Sequence, residues 1–327
     1  MLQLSLSDNL TVPVLQKSYA SSAYAGLHEI VDAFLLEAGI RNIASACFAL
    51  AGPVNEKRIV KLTNLPWQID ADALAQRFSI KSVELINDFE AVAYGIAALP
   101  ASDYLTVQTG NEQPQGTRLV VGAGTGLGVA WLHSEKGLNR VHASEAGHMD
   151  FAPQDEMQYA LMRYMKDRYD HVSYERIVSG PGLVSIYEFI RDSGVAKPSA
   201  DLVAEFKSND ASAVIAQYAQ HENEKIARMT WGMFLSVYGA FVGNLALAVL
   251  PLGGIFVAGG VAGKNAAQFQ SGEFIRAYLS KGRYAEMLSG LPVHIVLNAH
   301  VGLLGASQYA SRNFLIDSGK RESCLTN

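Results

Sequence analysis

Hydrophobic residues along this chain recur with two periods, and the switches between them outline its elements. Leu2, Leu4 and Leu6 alternate with polar residues, Asp8-Asn9 supplies a turn, and Val12 to Leu15 continues extended, which predicts an opening hairpin. Leu27, Ile30, Val31, Phe34 and Leu35 then share one helical stripe that Gly39 closes. IASACFALAGPV and VKLTNLPW read as strands, Asp70 caps a short helix, VELIND is a further strand, and Phe89, Val92, Ile96 and Leu99 resume helical spacing. After Pro100, YLTVQTG is extended, and TRLVVGAGTGLGVAWLH predicts strand, glycine turn, strand. Three or four helices follow. Met157, Leu161 and Met165 mark one, Leu183, Ile186, Tyr187 and Ile190 another, and a long apolar run over residues 223–250 the last. GIFVAGG and LPVHIVLNA are the final strands, GLLGASQYASRNF is a closing helix, and the polar residues after Ile316 predict a frayed end. Strands alternating with helices define an α/β architecture.

The apolar stretch Thr230 to Gly263 contains no charged residue and is long enough to span a bilayer. Gly232, Gly239, Gly243, Asn244, Pro251, Gly253 and Gly254 interrupt it, so it reads as a buried helix followed by a strand, and no membrane partner is expected. At 327 residues the chain is long for one core, which predicts two domains. A net charge of -5 provides no basic field to collect nucleic acid. Two cysteines, Cys47 and Cys324, make neither a disulfide framework nor a four-cysteine zinc site and fit a reducing compartment. MLQLSLSDNL has no basic patch and no long apolar run, so no signal peptide is read and a cytoplasmic location is expected.

Four clusters carry candidate chemistry. Gly122, Gly124, Thr125, Gly126 and Gly128 fall between two strands, where glycines let main-chain N–H groups face an anion and Thr125 adds a hydroxyl. A dinucleotide fingerprint would need different spacing and a following helix; a ligand-free hairpin turn is the other reading. A second glycine cluster runs from Gly253-Gly254 to Gly259, Gly260 and Gly263 and suits either a close ligand or a tight turn. Asn87 and Asp88 stand where a strand gives way to a helix, a place for cleft-facing groups or for an ordinary N-cap. Glu145 and His148, with Glu175 later, form a set able to bond several hydroxyls or to ligate a metal.

The order and wording of these clusters resemble the bacterial glucokinase family of the actin–hexokinase superfamily, from about Lys17 to Ser307. The resemblance is carried by ALAGPV, LTNLPW, LINDFEAVAYGI, GAGTGLGVA, EAGHMDFAP, HVSYERIVSGPGL and GGIFVAGG, in that order. It implies a two-domain actin/hexokinase-like (ribonuclease H-like) fold with an interdomain cleft. The small domain would comprise residues 1–98 with 300–327 and the large one 99–299. It implies transfer of the γ-phosphoryl of ATP, with Mg2+, to glucose, and a homodimer. Asp88 would be the general base for the 6-hydroxyl, and Asn64, Asn87, Glu145, His148 and Glu175 would hold the sugar. The Gly122–Gly128 turn would be the second phosphate loop, and Gly259 and Gly260 would border the adenosine. A sister family of sugar kinases shares the Glu-x-Gly-His motif and adds a cysteine-rich zinc loop; with no cysteine between Cys47 and Cys324, no metal-binding residue is expected here.

One part of the family pattern is not found: a first strand ending in Asp-x-Gly-Gly-Thr-Asn, which grips the β- and γ-phosphates. LQLSLSD resembles the strand after it, so the chain reads as starting late. A misplaced gene start is one expectation. The other is a paralogue that binds glucose without catalysis, or a regulator.

Overall fold

The computed structural model describes residues 2–7, 13–40, 42–52, 54, 58–62, 65–135 and 138–317. The Asp8-Asn9 turn, Asn64 and the tail from residue 318 lie outside these. The chain forms two compact units, one of residues up to Pro100 together with those from His300 onward, the other Ala101–Ala299.

In the first unit, β1 (Leu2–Ser7) and β2 (Pro13–Tyr19) pair antiparallel, as their alternation predicts. Helix α1 (Leu27–Ala38) buries Leu27, Ile30, Val31 and Phe34, and Gly39 closes it at φ 65. β3 (Ser45–Leu50) runs parallel to β6 (Ser82–Asn87). Between them the stretch read as one strand, VKLTNLPW, is instead split. β4 (Ile59–Lys61) ends early and pairs antiparallel with β5 (Gln68–Asp70). Asp70 then caps α2 (Ala71–Phe78), its carboxylate accepting from the N–H groups of Asp72 and Ala73 at 2.9 and 3.1 Å. α3 (Asp88–Ile96) follows β6 directly. The C-terminal helix Val301–Asp317 returns to this unit and packs on α3, with Tyr94 edge-on to Tyr309 at 5.0 Å between ring centres.

The second unit opens with β7 (Tyr104–Gln108), β8 (Arg118–Ala123), β9 (Leu127–Glu135) and β10 (Leu138–Ser144). Helices α4 (Glu156–Lys166), α5 (Gly180–Asp192), α6 (Ala200–Glu205), α7 (Ala211–Tyr218) and α8 (Lys225–Val249) follow. The chain continues through β11 (Ile255–Ala258), α9 (Gly260–Lys264), α10 (Glu273–Leu279), α11 (Ala285–Ser289) and β12 (Val293–Val296). Among the described residues, six strands form one sheet in the order β10-β9-β8-β11-β12-β7. β8, β11 and β12 are mutually parallel at its centre, and β11 and β12 are buried along their whole length. Such strands are apolar on both faces, hence the unbroken runs in the sequence.

Five helices, not three or four, occupy the stretch up to residue 250. The two that hydrophobic spacing missed, α6 and α7, are six and eight residues long, too short to develop a stripe, and start on side-chain caps from Ser199 and Asp210. α10 and α11 were missed for the same reason. β10 was missed because it is an edge strand of mixed exposure, LNRVHAS, held by pairing to β9. α8 is long and apolar enough to cross a membrane by length and composition, but Ile226, Phe234, Leu235, Tyr238, Phe241 and Val242 are buried in the core of this unit.

Candidate active site

The first unit contains Asn87 and Asp88. Asn87 ends β6 and caps α3, its Oδ1 accepting from the N–H groups of Phe89 at 2.9 Å and Glu90 at 3.2 Å. Its Nδ2 donates to the Gly52 carbonyl at 3.0 Å, which ties the strand end to the turn after β3. The N-cap reading is therefore correct, and one Nδ2 hydrogen remains for another acceptor. Asp88 is the first residue of α3 and exposed. Helix polarity favours a negative charge there. Glu90, two residues on, is half-buried, and desolvation pushes its carboxyl pKa upward.

The second unit brings most of the other residues together. The turn after β8 is closed by the Gly124 N–H donating to Gly126 at 2.8 Å, and the Gly124 carbonyl accepts from the Gly180 N–H at the start of α5, also at 2.8 Å. Glu175 supports the turn from beneath: its Oε2 accepts from the Leu127 N–H at 2.9 Å. A Cβ on Gly126 would stand 2.7 Å from that same oxygen, so a larger residue would displace the carboxylate from beneath the turn. The Glu175 N–H donates to the Gly147 carbonyl at 2.9 Å, and a Cβ on Gly147 would collide with the Leu127 carbonyl. Around Gly147 the chain makes a tight turn, with the His148 N–H donating to the Glu145 carbonyl at 2.9 Å. Both Glu145 and His148 are exposed there. Glu145, His148, Glu175 and the glycine turn are thus one hydrogen-bonded assembly.

The N–H groups of Thr125 and Gly126 have no hydrogen-bond partner among the described residues. Two free donors at the tip of a glycine turn are what an anion requires. Gly122, by contrast, lies inside β8, buried and paired with Gly128 and Ala258, so it shapes the sheet below the turn. Gly259 lies against the same place. At φ 89 its main chain lies so close to Ala123 that a Cβ would strike the Ala123 carbonyl. Gly124 and Gly260 have open space on the side where a Cβ would project.

The family profile described as Glucokinase matches residues 1–313. A glucokinase from Nostoc sp. is 41% identical over 314 residues, 91% of this chain and 91% of the relative. This chain belongs to the glucokinase family. The crystal structure of a glucokinase from an Antarctic psychrotroph superposes with a TM-score of 0.79 at 27% identity, covering 92% of this chain and 90% of that one. A glucokinase of the sister family from Streptomyces griseus, crystallised with glucose and AMPPNP, matches at a TM-score of 0.64 and 21% identity over 94% of this chain and 95% of its own. The glucokinase fold of this chain is accordingly the actin–hexokinase-like one.

Ser179, not among the candidate residues, supports the site. Ser179 caps α5 by accepting from the Gly182 N–H at 3.0 Å, and its hydroxyl donates to the Glu175 carbonyl at 2.7 Å. Ser179-Gly-Pro is a local helix-start signature, so the capping half was open to inference. Among the described residues no group of three or more His, Cys, Asp or Glu is arranged to hold a metal ion.

Proposed function

We propose that this chain transfers the γ-phosphoryl of ATP to the 6-hydroxyl of glucose. The observation that carries the reading is the double contact of Glu175: its main-chain N–H donates to the Gly147 carbonyl in the Glu145–His148 turn, and its carboxylate accepts from the Leu127 N–H beside the glycine turn with its two free N–H donors. Its support from relatives is their description as glucokinases and the glucose and AMPPNP bound to the Streptomyces griseus structure.

Glucose is neutral, so it is held by directional bonds to its hydroxyls. Carboxylates accept, and an imidazole donates or accepts. In this reading Glu145, His148 and Glu175 take sugar hydroxyls, as do Asn87 through its remaining N–H and Asn64. Asp88 takes the proton from the 6-hydroxyl as it attacks the γ-phosphorus. The N–H groups of Thr125 and Gly126 bind phosphate oxygens, and Gly259 and Gly260 border the adenosine. Phosphoryl transfer demands positioning and charge stabilisation more than covalent chemistry. In this reading Mg2+ would come with the nucleotide phosphates, offset their charge and need no more than one or two protein carboxylates.

The test is a coupled assay for glucose 6-phosphate. Asp88→Asn is expected to lower kcat by about 10²–10⁴-fold, the usual worth of a general base, with KM for glucose changed little. Full turnover in that variant removes Asp88 from the role. Glucose binding by calorimetry with neither ATP binding nor transfer by the unmodified chain would turn the reading to a sugar-binding protein.

A further inference from the structure

Helices α8 and α10 approach one another main chain to main chain along one stretch. A Cβ on Gly239 would collide with the Phe274 carbonyl, and one on Gly243 would stand 2.6 Å from the Tyr278 carbonyl oxygen. Nearer the start of α8 the neighbour changes. A Cβ on Gly232 would meet the Glu273 carboxylate at 3.0 Å, a side chain instead of main chain. There, between the first half of α8, α10 and the segment entering α4, lies a groove of about 660 Å3, within the ~300–1,000 Å3 of small-molecule sites.

The groove is charged in a particular way. Lys225 and Arg228 stand three residues apart on α8, hence on one face, and Arg276 comes from α10. None of the three forms an ion pair among the described residues. Arg228 donates only to the Glu222 carbonyl, at 2.9 Å. The first turn of α8 has no acidic residue, so Lys225 and Arg228 add their charge to the positive end of a 25-residue helix. The preceding Glu224 is buried and faces the Ser199 N–H at 3.4 Å. Two carboxylates also line the groove. Asp155 is engaged as the cap of α4, accepting from the Gln158 N–H at 2.8 Å. Glu273 lies over Gly232, in the first turn of α10. The rest of the wall mixes Met157, Met229 and Met233, apolar and adaptable in shape, with the polar Gln154, Gln158, Ser236 and Ser280.

We infer that this groove binds a small organic phosphate. The two guanidinium forks and the Lys225 ammonium take the phosphate, a dianion that suits planar bidentate donors. The methionines take the carbon body. None of these residues belongs to the glycine turn or to the Glu145–Glu175 assembly.

Calorimetry on the full chain tests this with phenyl phosphate, inorganic phosphate and phenol as probes. Phenyl phosphate is expected to bind at least tenfold more tightly than inorganic phosphate or phenol. The double variant Arg228→Gln/Arg276→Gln should lose that binding by tenfold or more and keep its glucose phosphorylation rate. Lys225→Glu, a change helix polarity favours, should weaken binding in a chain that folds at least as well. The inference fails if phenyl phosphate gives no heat at millimolar concentration. It fails equally if inorganic phosphate binds as tightly, or if the variants bind undiminished. Self-association lost in the double variant, with no response to phenyl phosphate, would assign the groove to a second copy of the chain and overturn it.

Discussion

His294 should make the second unit sensitive to acid, and by a calculable amount. The residue lies on β12, only 6% exposed, with its ring against Tyr104 at 4.5 Å and Phe256 at 5.0 Å between centres. Nδ1 is 3.0 Å from the Thr106 hydroxyl, and Nε2 is buried with no hydrogen-bond partner among the described residues. Burial, reinforced by the Arg118 charge, lowers its pKa from 6.5 to about 4. Between those values the unfolded chain holds a proton that the folded chain lacks. The contribution is therefore fully present above pH 6.5 and is lost as pH falls toward 4. Each pH unit in that window is worth about 1.4 kcal/mol, so the loss is about 2 kcal/mol at pH 5 and about 3 kcal/mol near pH 4. His294→Phe keeps the aromatic contacts, cannot titrate, and gives up the Thr106 bond at a uniform cost of about 1 kcal/mol. Urea unfolding of both proteins at pH 7.5 and pH 5.0, followed by tryptophan fluorescence, isolates the term, because every other titrating group is common to both. The variant is expected to be the less stable at pH 7.5 and the more stable at pH 5.0. Parallel pH dependences in the two proteins would refute the reasoning.

Three further outcomes follow from the site and its supports. Glu175→Gln replaces a charge-assisted bond to the Leu127 N–H with a neutral one; the first is worth about 1.5–3 kcal/mol and the second about 0.5–1.5, so a loss of about 1–1.5 kcal/mol should lower kcat/KM for glucose by about five- to tenfold in the coupled assay while far-UV circular dichroism is unchanged. Gly147→Ala sets a methyl against the Leu127 carbonyl, and since main chain cannot swing aside the variant should lose about 1–3 kcal/mol, read as a lower unfolding midpoint in urea. Asp70→Ala removes both side-chain bonds at the start of α2 and should cost about 1 kcal/mol, with activity per folded molecule retained.

What the sequence revealed of the fold depended on how local the determining interaction is. The glycine turn at 124–126 and the Asn87 cap are written in consecutive residues, so the turn and the cap themselves were legible before any coordinates. The long α8 was legible as a helix, and its glycines marked it as something other than a membrane span; Gly239 and Gly243 prove to be where α10 seats. Short elements escaped. Helices α6 and α7 lack a stripe, and β10 takes its structure from β9, not from any pattern of its own.

The site divides along the same line. Glu175 was named for its carboxylate, yet that carboxylate's partner is a main-chain N–H 48 residues away, reached only because the Gly147 turn and the α5 start fold onto β9. No spacing rule announces such a bond. It changes the meaning of the residue all the same. A carboxylate read as one of five hydroxyl ligands is also the support of the residue that follows the free N–H donors. Anything that rotates Glu175 to grip a ligand must therefore act on Leu127 and, through it, on Thr125 and Gly126. In this chain a group assigned to the sugar holds Leu127, the residue that follows the donors assigned to the phosphate, and that is why removing the charge at 175 should affect catalysis as well as affinity.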